Sequence, residues 1–202
     1  MNESITRTTK HFSPAASLAA IGVKLSQLDL FGPIRTQVQI RQKTVKHTPT
    51  DKLYDAFISL LAGAHGLVEI NTRLRTDPGL QRAFGRSACA EQSVVQETLD
   101  ACTAENVTQL QHAMDVIYQQ HSQGFQHNYE AGFHLLDVDM SGMPCGPKAA
   151  FATKGYFAGQ YHRRGRQLGR VLATQYEEVV VDRLFAGNVL LRKRLAAFGG
   201  SG

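Results

Sequence analysis

Tryptophan is absent from this chain, and cysteine and proline are scarce, at three and six among 202 residues. Cys89, Cys102 and Cys145 form no CxxC pair and leave one thiol over. That argues against a disulfide scaffold and a structural zinc site, and it suits a reducing cytoplasm. Long apolar runs are missing too, so no membrane span is expected. The mildly apolar stretch 18–25 is broken by Lys24 and has no cleavage pattern after it, which argues against a signal peptide. What is present is a composition that is 43% hydrophobic and 19% charged, that of a globular protein of one or two domains. The net charge of +5 is unevenly spread. Residues 1–140 hold 12 Lys and Arg against 14 acids, whereas 141–202 hold 10 against only Glu177, Glu178 and Asp182. Such a basic segment reads either as a polyanion surface, which gains affinity by counterion release, or as a solubilising face.

The first two thirds follow a helical pattern. Ser13-Pro14 opens a helix over 15–30, and Phe31-Gly32-Pro33 closes it. Residues 34–46 fit a helical stripe or a strand equally well, and carry Arg35, Arg41, Lys43 and Lys46 without an acid. Thr50 is expected to cap an amphipathic helix with Leu53, Phe57, Leu60 and Leu61 on its buried face, closed by Gly63. A helix over 65–75 stops at Asp77-Pro78. Helices over 79–84 and through Val94, Val95 and Leu99, joined at Gly85-Arg86-Ser87, are compatible with a helix-turn-helix or with plain helical packing. Thr103 starts a long helix whose stripe is Val107, Leu110, Met114, Ile117 and Tyr118, ending near Gly124.

Beyond residue 131 the period changes. Residues 133–140, 167–174 and 177–184 read as strands, with a turn near Gln175-Tyr176 and a long basic, glycine-rich loop after the first. Residues 188–198 resemble the start of a basic helix, and Gly199-Gly200-Ser201-Gly202 reads as flexible. The reading is therefore α+β, with a helical region over 1–131 and a sheet region over 132–202.

Asp137 and Asp139 stand two apart on the first strand and share a face. Acids in an apolar strand are costly unless paired or cation-bound, and Mg²⁺ favours one or two carboxylates plus water and phosphate. A bridging carboxylate of this kind serves two-metal phosphoryl transfer. The plain alternative is a pair of strand-end acids; a nucleotide-sugar transferase would need alternating strands and helices before the motif. Lys148, Lys154, Arg163, Arg164, Arg166 and Arg170 follow, interleaved with Phe151, Tyr156, Phe157 and Tyr161. Cations that meet phosphates and rings that stack on bases are what holding DNA requires, although some rings serve packing alone.

The runs LLDVDMSGMPCGPKAAFATKGYF and RRGRQLGRVLATQYEEVVVDRLFAGN resemble the opening of the catalytic domain of bacterial insertion-sequence DDE transposases. DKLYDAFISLLAGAHGLVEINTRLRTDP resembles their N-terminal domain, so the likeness runs from about Leu18 to Asn188. The resemblance implies an RNase H-like domain that begins with a three-stranded antiparallel meander, cuts element-end DNA and joins the freed 3′-hydroxyl to a target with two Mg²⁺ or Mn²⁺ ions. Asp139, followed by Met140-Ser141, matches the family's first catalytic and metal-binding aspartate; Asp137 is the second choice. The family's second aspartate and its glutamate belong on later elements, expected after Asn188, and Glu177, Glu178 and Asp182 do not match them. The expectation is thus an incomplete RNase H-like domain in a truncated, catalytically incomplete transposase, binding insertion-sequence ends but holding metal weakly. It would act alone, as a homo-oligomer or mixed with full-length transposase; the alternative is a non-catalytic DNA-binding inhibitor of that transposase.

Overall fold

A computed structural model describes residues 12–43 and 46–188. It is α+β, with helices followed by a four-stranded antiparallel sheet. Two compact units, 1–117 and 118–202, divide within the last helix. That division precedes the change of pattern at 131 because residues after the helix bond to the sheet: Ser122 Oγ and the Gln123 and Gly124 amides all donate to the Glu178 carboxylate. The expected helix over 188–198 and the closing glycines lie outside the described residues, apart from Asn188 itself.

The helical unit comprises α1 (Ala16–Gln27), α2 (Gly32–Gln37), α3 (Pro49–Leu61), α4 (Pro78–Ala83), α5 (Gln92–Asp100) and most of α6 (Ala104–His121). Phe31-Gly32-Pro33 ends one helix and also opens the next, since proline at the first turn of α2 has no amide to leave unsatisfied. The stretch after α2 is extended, and Val38 and Ile40 are buried with Ile34 against Ala113 of α6. Residues 44–45 of that stretch are not described. The cap of α3 is Thr48 rather than Thr50: its hydroxyl accepts from the Asp51 amide while the Asp51 carboxylate accepts from the Thr48 amide, with Pro49 following. The expected helix over 65–75 is a 3₁₀ turn, Leu67–Glu69, running into a π turn, Ile70–Leu74.

Two expected stripes hold in part: Leu53, Phe57 and Ile117 are half-buried and pack against the core clusters, but Leu60, Leu61, Val107, Leu110 and Met114 do not lie on the buried faces. On α3 the buried positions are Lys52, Tyr54, Asp55, Ile58 and Ser59, whereas Leu60 is 64% exposed and Leu61 is also exposed. The helix is rotated to bury an ionic group. Arg86, from the segment after α4, bonds Asp55 through Nε at 2.8 Å and Nη2 at 3.2 Å, and Asp51 through Nη1 at 2.6 Å. Asp55 also accepts the Ala90 amide at 2.7 Å. Burial works against the charge of Arg86, but the hydrogen bonds and charge of Asp55, with Asp51, outweigh it and hold its pKa above the usual value. On α6 the buried residues are Asn106 and Ala113, while Val107, Leu110 and Met114 are exposed. Asn106 turns inward because its amide donates to the Gln39 carbonyl at 2.8 Å and its oxygen takes the Thr103 amide.

A helix-turn-helix is also not what forms. Eight residues separate α4 from α5, against the three or four of that motif, and the Arg86 network pins them. α4 packs chiefly on α1, and α5 on α3.

The sheet contains β1 (Leu136–Pro144), β2 (Thr153–Phe157), β3 (Gln160–Ala173) and β4 (Glu178–Ala186). Gly165 pairs with both Pro144 and Thr153, and Arg166 with both Met143 and Ala186. A strand residue has only two lateral neighbours, so β1 takes one edge of β3, and β2 and β4 follow each other along the other. The three expected strands pair in the expected antiparallel order, β1–β3–β4. The expected long loop is instead largely the β2–β3 hairpin. Its two-residue turn, Ala158-Gly159, has positive φ at both positions (49° and 77°), the geometry that matches strand twist.

Glycine makes that hairpin possible. The Phe157 ring, 2% exposed, lies against Gly142, Gly155, Gly165 and Gly187. A Cβ on Gly155 or Gly165 would sit 2.8 Å from it, closer than carbon atoms approach. Phe157 is thus a core residue, one of the rings that serve packing alone.

Candidate nucleic-acid interface

Cross-strand partners share a face, so the register sorts the site residues. Asp139 stands opposite Arg170, which stands opposite Asp182 on β4. Asp137 stands opposite Leu172, and Met143 opposite Arg166. Asp137, Asp139, Arg166 and Arg170 therefore occupy one face of the sheet. Arg164, two before Arg166, continues it along β3, with Lys154 as its partner on β2. Arg163 falls on the opposite face, against Gly155, and Lys148 lies in the turn between β1 and β2. The structure thus brings together four of the six basic residues, with both aspartates.

The two ends of that face differ. At the acid end Asp137 and Asp139 are both exposed, and the Ser141 hydroxyl donates to Asp139 Oδ2 at 3.2 Å. Arg170 is not a free cation: Nε and Nη2 grip both Asp182 oxygens at 2.8 and 2.7 Å, which raises its pKa through that hydrogen bonding and the carboxylate charge. At the basic end Arg164 donates to the Ala152 carbonyl at 3.3 Å, and the Nε of half-buried Arg166 has no partner. Four residues of β3 separate the Asp139 row from the Arg166 row, roughly 13 Å at strand rise. Leu168, Leu172, Val179 and Leu184 interleave the charges; the first two are partly exposed and the last two exposed.

Exposed rings border the hairpin. Tyr156 and Tyr161 are 59% and 80% exposed, with ring centroids 4.8 Å apart, and Phe151 is 57% exposed. The pairing of Arg170 with Asp182 was missed from sequence because twelve residues separate them; only the β3–β4 register reveals it.

Glu178 is committed elsewhere. Glu178 accepts three hydrogen bonds from 122–124; burial pushes its pKa up, but those bonds prevail and hold it below the usual value. Among the described residues no three His, Cys, Asp or Glu side chains converge as a metal cage would require, and no helix is long and apolar enough to cross a membrane. Chemically, the face offers a solvent-open carboxylate pair at one end and guanidinium donors at the other. Comparison with known proteins finds no family model, characterised protein or solved structure that matches the chain.

Proposed function

We propose that this chain is a DNA transposition protein of the DDE-transposase type that binds insertion-sequence end DNA on the exposed face of its sheet. The observation that carries this reading is the shared face: Asp137 and Asp139 beside Lys154, Arg164, Arg166 and Arg170 on β1, β2 and β3. Guanidinium groups along a strand suit a phosphate backbone, and the exposed Tyr156–Tyr161 pair suits unpaired bases at a frayed end. In this reading the β1–β3–β4 meander is the opening of an RNase H-like domain, and β1 carries its first catalytic aspartate.

Asp139, with Asp137 on the same face, fits a hard cation held by one or two carboxylates, water and a DNA phosphate. Mg²⁺ or Mn²⁺ there would supply Lewis-acid stabilisation of the phosphate. The chain's own part is to present Asp139, orient it through Ser141 and hold the strand on Arg164 and Arg166. No second Asp and Glu join them among the described residues: Asp182 is clamped by Arg170 and Glu178 by 122–124. That commitment favours, as a second reading, a DNA-binding inhibitor that competes with, or co-assembles with, a longer transposase.

The test is a band shift with duplex from the inverted repeats flanking the gene. Salt-sensitive binding of that duplex in preference to an unrelated one supports the proposal, and no binding at low salt sinks it. Divalent-metal-dependent nicking abolished by Asp139→Ala would decide for the transposase over the inhibitor.

A further inference from the structure

The helical unit holds a cavity of about 390 Å³ whose lining includes Lys43, Lys46, Lys52 and Arg75, with Glu91 and Glu97 as the only acids. Lys52 is the unusual member. It is 3% exposed, and its ammonium donates to Gln42 Oε1 at 3.0 Å, an oxygen that also accepts the Thr98 hydroxyl at 2.6 Å. Its neighbours on α3, Asp51 and Asp55, are both taken by Arg86. Among the described residues no carboxylate pairs with Lys52. An ammonium withdrawn from solvent with one amide partner is costly unless something in the adjoining space complements it.

The other groups at the wall reinforce this polarity. Burial, then the charge of Asp55, pushes the Cys89 thiol up to about 12, so it stays neutral and is no nucleophile. Burial and the Arg86 charge lower the His47 pKa, so near neutrality it meets a ligand as an uncharged imidazole.

We propose that this cavity binds a phosphate group, with Lys52 as its buried anchor and Lys43, Lys46 and Arg75 at its mouth. The volume exceeds that of a bare phosphate and leaves space for an attached ester, so the group is either a free phosphate or nucleotide, or a phosphodiester of nucleic acid. This site lies within the helical unit, and the proposal does not rest on the sheet face.

The test is calorimetric titration of the full chain with inorganic phosphate at constant ionic strength, with chloride as the reference. Saturable binding is expected, weakened at least tenfold in Lys52→Met and at least threefold in the surface variant Lys43→Gln/Lys46→Gln, and unchanged in Lys24→Gln. The surface variant keeps the test valid if Lys52→Met does not fold. A short duplex then identifies the source: if the surface variant weakens it and phosphate competes with it, the occupant is a backbone phosphate; if neither holds while phosphate still binds, it is a free one. Absence of saturable phosphate binding, or affinity unaltered in the lysine variants, overturns the proposal. Arg164→Glu should leave phosphate binding untouched, so failure here and failure of the sheet interface are read separately.

Discussion

The helical unit and the sheet unit are built on opposite terms. The first buries Ile58, Ile70, Leu74, Leu80, Phe84 and Val95 in one cluster and locks an ion pair, Asp55–Arg86, beside it. In the second, Phe157, Val171, Ala173 and Phe185 are the only apolar side chains buried among the described residues, and both acid-bearing and basic positions lie open. Helices bury one stripe each against several partners, whereas a single sheet covers little of either face. The difference is one of packing: the helical unit closes a buried cluster around an ion pair and leaves Lys52 as its internal anomaly, whereas the sheet unit keeps its acid and basic rows open to solvent.

The contrast can be broken most severely at the ion pair. Arg86→Met leaves Asp55 buried and unpaired, and should cost about 3–5 kcal/mol in denaturant unfolding of the full chain. A change below 1 kcal/mol would show that the helical unit does not depend on its polar core. In the sheet the corresponding lesion is steric: Gly165→Ala drives a methyl into the Phe157 ring and should cost about 1–3 kcal/mol. Thermal unfolding reads it, and a neutral outcome would mean the ring can move. Thr48→Ala removes the α3 capping hydroxyl and should cost about 1 kcal/mol, felt in the helical unit alone.

The smallest effect is a pH dependence. Glu178 has its pKa depressed in the folded chain, so the stability it gives is complete above its unfolded value near 4.5 and is lost as pH falls through the lower folded value. Amide exchange at Gln123 and Gly124, compared with intrinsic rates, should accelerate below pH 4.5 in wild type, and Glu178→Gln should be fast already at pH 6. Indistinguishable protection in the two proteins would discard that attachment.

Much of the architecture was legible. Ser13-Pro14 stands just before α1, and the period-two stretches give β1, β4 and the second half of β3, whereas Pro33 and Pro78, read as helix ends, also open α2 and α4. Apolar periodicity found Leu53, Phe57 and Ile117 but misplaced the centres of the buried faces of α3 and α6, because it counts Leu60 or Val107 and ignores Asp55 and Asn106, whose partners are 31 and 67 residues distant. The β2–β3 hairpin was hidden by glycines that read as loop yet exist to admit the Phe157 ring. At the candidate site, the shared face of Asp137 and Asp139 followed from alternation alone. Which arginines join them did not, since Arg163 and Arg164 are neighbours in sequence and fall on opposite faces.

The claim that the sheet face grips DNA is tested most directly by the salt dependence of binding to inverted-repeat duplex. Each phosphate contact contributes about 0.9 to the slope of log K against log salt. Arg164→Glu/Arg166→Glu is predicted to lower that slope by about 2 and weaken binding at every salt concentration, with the helical unit's unfolding unchanged. A variant that binds with the wild-type slope and affinity would contradict the account.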